Sequence, residues 1–249
     1  MIDDLESADH SSSVISILTM PFLDDSGVRT EEKRGPIWDA FATLADQVER
    51  MIALNIGWAL QQAPGAVALM LTDWPIWVRL LLAGYSALAL APATGVLYAL
   101  VARACDGEML RWELVGEALR AVAKPSLFNL MPLFAAAGAL LFVAVWAASA
   151  RWMLLDALAQ LGLLLLAATS LYWGALFAER PQRSAFVLLR RSLSLIGQYP
   201  LHASLLAAVS AFALLLGIVS IGGMVLIVPV VLALLQTHML RHLRIKRNA

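Results

Sequence analysis

The chain has 249 residues, 61% of them apolar and only 14% charged, with 18 Lys and Arg against 18 Asp and Glu. Ordinary soluble domains carry about 45–50% apolar and about 25% charged residues, so the balance argues against a water-soluble domain. A null net charge offers nothing to recruit nucleic acid, and a single Cys excludes a disulfide scaffold or a Cys-rich zinc site.

The null charge is unevenly spread. Asp3, Asp4, Glu6, Asp9, Asp24, Asp25, Glu31 and Glu32 stand against one base, Arg29, so an acidic head precedes a basic body. Residues 1–35 are polar and Ser-rich, which predicts a mostly disordered segment. Its one apolar patch, residues 14–23, is too short to span a bilayer. An acidic start with no small-residue cleavage site does not read as a signal peptide.

Residues 36–249 read as a membrane domain. A spanning helix needs about 20 mainly apolar residues, and six stretches approach that: 51–71, 76–101, 127–148, 152–178, 201–219 and 222–240. The last two come from one apolar run over 201–240, divided near 218–223 by Gly217, Gly222 and Gly223. The predicted fold is therefore all-α, a polytopic membrane protein with six transmembrane helices in three hairpins. Charge placement orients it, because Lys and Arg near span ends stay on the cytoplasmic side. Lys33, Arg34, Arg50, Arg103, Arg111, Arg120, Lys124, Arg180, Arg183, Arg190, Arg191, Arg241, Arg244, Lys246 and Arg247 fall on one side, and only Arg79 and Arg151 on the other. The expectation is a multi-pass protein of the bacterial cytoplasmic (inner) membrane with both termini inside. Trp74, Trp77, Trp146 and Trp152 fall at the outer span ends, where amphipathic rings sit.

Residues 37–50, 107–124 and 184–196 are helix-like and partly amphipathic, as cytoplasmic helices lying along a membrane surface would be. An interfacial helix followed by a hairpin thus recurs over 36–101, 106–178 and 183–245, with Lys124-Pro125 and Tyr199-Pro200 opening the second and third hairpins alike. A structural repeat and stepwise hairpin insertion both produce such a pattern.

Candidate site residues are few. Asp156 is the one acid within a span, with Gln160 a turn deeper; it is placed either to couple an ion or to anchor at the outer interface beside Arg151. Asn55, Gln61, Gln62 and Asn129 can line a path or hydrogen-bond neighbouring helices. Pro64, Pro92, Pro132 and Pro229 are expected to kink spans. His202, His238 and Cys105 lack metal-ligand spacing, so no metal or cofactor is expected. No nucleophile and base are spaced to meet, which argues against an enzyme.

Residues 91–113 (APATGVLYALVARACDGEMLRWE), with Asn55 and Trp58 in ALNIGW, resemble the hallmark of the YesL-like family of bacterial membrane proteins. The matching positions are Asn55, Trp58, Pro92, Ala93, Thr94, Leu97, Tyr98, Gly107, Glu108 and Trp112. The spacing from Asn55 to Pro92 is longer than the family's, and the acidic head has no counterpart in it. The resemblance implies an accessory role near sugar-uptake ABC transporters. The leading expectation is a non-catalytic accessory protein or subunit of a larger membrane complex, partnered by the lipid bilayer and a membrane protein such as that transporter. The alternative is a self-sufficient small-molecule transporter or channel using Asp156, Gln160 and Asn55.

Overall fold

The structure, a computed structural model, describes residues 35–248. The acidic head expected at 1–35 lies, apart from Gly35, outside the described residues. Among these the chain is helical with no strand: α1 (Pro36–Asp46), α2 (Val48–Met70), α3 (Ile76–Cys105), α4 (Trp112–Asn129), α5 (Met131–Ser149), α6 (Met153–Glu179), α7 (Ala185–Gln198), α8 (Pro200–Val219), α9 (Ile221–Leu226) and α10 (Val228–Asn248).

Four of these helices, α3, α5, α6 and α8, are long and apolar enough to cross a membrane. The other two expected spans do not reach that standard by composition. Asn55, Gln61 and Gln62 dilute the apolar character of α2, and α10 runs on from its apolar start into Arg241 and Arg244.

Three expectations shift by a few residues for identifiable reasons. The third apolar stretch starts at Met131 rather than 127, because α4 continues to Asn129 and the chain breaks at Leu130. Pro132 therefore starts α5, where a missing N–H costs nothing, and does not kink a span. Pro125 lies inside α4, so Pro132, not Pro125, is the counterpart of Pro200 at the start of α8. The expected helix over 222–240 is two pieces, α9 and α10, parted at Ile227 just before Pro229. Pro64 and Pro92 do lie inside helices, as expected.

Buried side chains concentrate in the C-terminal halves of α3 and α6, Leu100 and Val101, Tyr172 and Phe177, and along α10 from Val230 through Leu234 to Leu243. Between helices in a bilayer, apolar burial gives little net drive, so close approach through small residues matters more. Gly174 of α6 meets the Tyr98 ring of α3 so closely that an added methyl would fall within it. A methyl on Gly95 would lie 3.1 Å from both Phe177 and Ser126. The bonded pairs Arg79 with Ala68, Ser86 with Gly65 and Thr94 with Trp58 step down α2 as they step up α3, so the two helices run antiparallel along their length.

The amphipathic segments are observed as α1, α4 and α7. On α4 the buried face is Ala118, Val122 and Ser126, while the apolar Trp112 and Leu119 are exposed. α1 likewise buries Ala40 and exposes Trp38 and Phe41.

Candidate functional site

Pro229 has no N–H, so it cannot close the helical bond that would run back four residues to the carbonyl of Val225. Asn55 of α2 supplies that bond instead: its Nδ2 donates to the Val225 carbonyl at 2.6 Å, and its Oδ1 accepts from the Val230 N–H at 3.0 Å. One fully buried amide thus replaces two backbone bonds across the break between α9 and α10. Trp58, Thr94 and Tyr98 extend this network. Trp58 Nε1 donates to Thr94 Oγ1 at 3.3 Å, joining α2 to the helix just past Pro92. The Tyr98 hydroxyl donates to Gln236 Oε1 at 2.5 Å, joining α3 to α10.

Gly107 and Glu108 form the turn after α3. Gly107 has φ +82°, a left-handed conformation that glycine adopts without strain. The side chain of Gln47, between α1 and α2, spans this turn: its Nε2 donates to the Glu108 carbonyl at 3.0 Å and its Oε1 accepts from the Leu110 N–H at 2.9 Å. Beside it an open cavity of about 470 Å³ lies between the start of α2, the end of α3 and the start of α4. Its floor is Leu54, Leu100 and Leu110, and its rim carries Glu49, Arg50, Arg111, Trp112 and Glu113. That size and polarity suit a small amphiphile. Among the described residues none of these four charged rim groups forms an ion pair.

Arginines of α10 complete this end of the bundle. Arg241 donates to the carbonyls of Cys105 at 2.8 Å and Ala102 at 2.9 Å and pairs with Asp106 at 2.9 Å; the Ala102 carbonyl also accepts from the Asp106 N–H, so the guanidinium adds a second donor there and supplies one to Cys105. Arg244 pairs with Glu179, the last residue of α6.

The remaining sequence candidates are placed elsewhere. Asp156 sits in the first turn of α6, where Gln160 Nε2 donates to its Oδ1 at 2.9 Å; its partner is this exposed amide rather than Arg151. That bond lies within α6, whereas Asn55 bonds to the backbone on either side of the break between α9 and α10. Asn129 Nδ2 donates to the Pro181 carbonyl at 2.7 Å and ties α4 to the turn after α6. His238 Nε2 lies 3.1 Å from Thr43 Oγ1, joining α10 to α1. Among the described residues no group of three His, Cys, Asp or Glu could hold a metal ion.

Sequence reading missed Gln47, Gln236, Gly174 and Arg241. Gln236 carried a signal, a lone amide within an apolar run; Gln47 and Arg241 act on backbone carbonyls and amides, which no residue pattern announces. In comparisons with protein-family models, curated proteins and solved structures, nothing matches the chain.

Proposed function

We propose that the chain is a six-span protein of the bacterial cytoplasmic membrane with both termini inside, related to the YesL-like family, and acting as a non-catalytic accessory subunit of a larger membrane complex. The observation that carries this reading is where the motif residues spend their polar atoms. Asn55, Trp58, Thr94 and Tyr98 bond helix to helix within the fold. A motif used this way preserves a scaffold, whereas a catalytic or translocating motif would present groups to a ligand. The partner class implied by the resemblance is a carbohydrate ABC uptake transporter.

Six spans are favoured because α2 pairs antiparallel with α3 along its length, so a membrane that α3 crosses is crossed by α2 as well. The two α10 contacts with the ends of α3 and α6 put the C-terminal ends of all three helices on one side. That side carries Arg103, Arg180, Arg241 and Arg244, as retention of bases on the cytoplasmic face requires.

Two experiments test the proposal. Single cysteines at Asp73, Ser149 and Gln182, all exposed, report topology: the first two react with an impermeant thiol reagent added outside cells, the third does not, and the reverse pattern overturns the orientation. Purification in mild detergent retains stoichiometric transporter subunits identified by mass spectrometry; a monodisperse chain with nothing attached overturns the accessory role.

A further inference from the structure

The end of α6 gathers positive charge from three separate stretches of chain. The turn after α6 supplies Arg180 and Arg183, α7 supplies Arg191, and α10 brings Arg244 onto Glu179 across 65 residues. Arg183, Arg191, Arg241 and Arg244 all lie within electrostatic reach of the one Glu179 carboxylate. Arg241 is already committed to Asp106 and two α3 carbonyls. The others therefore outnumber their counter-charge.

Arg183 stands in the least comfortable place. Its Nη1 is buried without a hydrogen-bond partner among the described residues. Loss of solvent, then the neighbouring guanidiniums of Arg191 and Arg180, hold its pKa below the usual arginine value against the pull of Glu179. A guanidinium with one nitrogen buried and like charges around it is costly unless an anion meets it, and the planar fork of arginine suits phosphate oxygens. Exposed Phe186, at the start of α7, places apolar surface beside the cluster.

We propose that Arg180, Arg183, Arg191 and Arg244 form a binding site for the phosphate group of an anionic phospholipid at the end of α6. Phe186 lies against the acyl region, and the phosphate supplies the negative charge that Glu179 alone does not provide for these guanidiniums. The site is distinct from the motif network and its test uses the chain alone, so its outcome is independent of any partner protein.

Full-length protein in a non-ionic detergent is titrated with phosphatidylglycerol, phosphatidylcholine or inorganic phosphate while its thermal unfolding midpoint is followed. Phosphatidylglycerol raises the midpoint saturably and phosphatidylcholine does not. Arg183→Gln with Arg191→Gln weakens the phosphatidylglycerol response by about tenfold or more, on a scale of roughly tenfold for each 1.4 kcal/mol and near 1 kcal/mol per base. Arg120→Gln with Lys124→Gln, two exposed bases on α4, changes it by less than about twofold, as expected for surface charge outside a site. Should the first pair not fold, Arg191→Gln alone, at an exposed position, is read in its place. Equal loss in the α4 pair, or no response in the unmodified protein, overturns the proposal. An equal response to inorganic phosphate overturns the lipid as the source.

Discussion

Replacing Asn55 by Ala removes two hydrogen bonds at once, and the consequence can be worked from the geometry. The Val225 carbonyl and the Val230 N–H lose their partner across the break before Pro229. A buried polar group left unsatisfied costs about 1–3 kcal/mol in soluble proteins, whereas side-chain bonds between helices in a bilayer average about 0.6 kcal/mol with a ceiling near 1.7. Two bonds then place the loss at about 2 kcal/mol, a fall of roughly 4–8 °C in the thermal midpoint for a chain of this length. A double-mutant cycle separates this from mere packing loss. Pro229→Ala restores an N–H four residues beyond Val225, which can close the helical bond to the same carbonyl. In that background Asn55→Ala should cost about 1 kcal/mol less. The assay is unfolding of the four variants in one detergent. An identical fall in both backgrounds, or a fall under about 2 °C in the first, refutes the account of Asn55 as a substitute for backbone bonds.

Other substitutions probe the rest of the network. Gly174→Ala drives a methyl into the Tyr98 ring; it should cost at least the 1–3 kcal/mol, approximately, of core overpacking, measured by detergent unfolding, and Tyr98→Ala in the same chain should relieve it. Arg241→Gln removes the side-chain donor from the Cys105 carbonyl and the second donor from that of Ala102. Since the Arg241 side chain is 32% exposed, the expected loss is only about 1 kcal/mol, and hydrogen exchange should rise at the end of α3 before it rises elsewhere. Asp156→Asn should leave stability unchanged within about 0.5 kcal/mol and leave partner retention intact. Solute flux in liposomes that contain the unmodified chain alone, abolished by Asp156→Asn, would establish a transporter instead.

Much of the helix order was legible because apolar runs and charge clusters are strong signals over twenty-residue windows. Boundaries set by single prolines were harder. Pro132 and Pro229 read as interior kinks from sequence but start helices, because a proline near a break and one inside a helix look alike without the backbone. The bonds of Asn55, Trp58 and Tyr98 were not legible from their positions in the sequence. Thr94 accepts from Trp58, a side-chain bond between positions 36 residues apart that spacing alone does not announce. Asn55 serves a carbonyl on α9, and any residue at 225 would offer the same acceptor. Tyr98 over Gly174 is likewise a contact between a ring and an absence of side chain, which a sequence shows only as a glycine in an apolar helix.

Asn55 and Val225 lie 170 residues apart. At about 5–20 residues per second of synthesis, Asn55 is made roughly 10–35 s before its carbonyl partner exists. Through that interval the first hairpin lacks both the Asn55 bonds to Val225 and Val230 and the Arg241 clamp on α3. The hairpin of α2 and α3 is therefore completed only once α10 has been made, and α10 acts as its keystone. A ribosome that stalls before residue 225 leaves α2 and α3 paired but without the groups that close Asn55 and the end of α3.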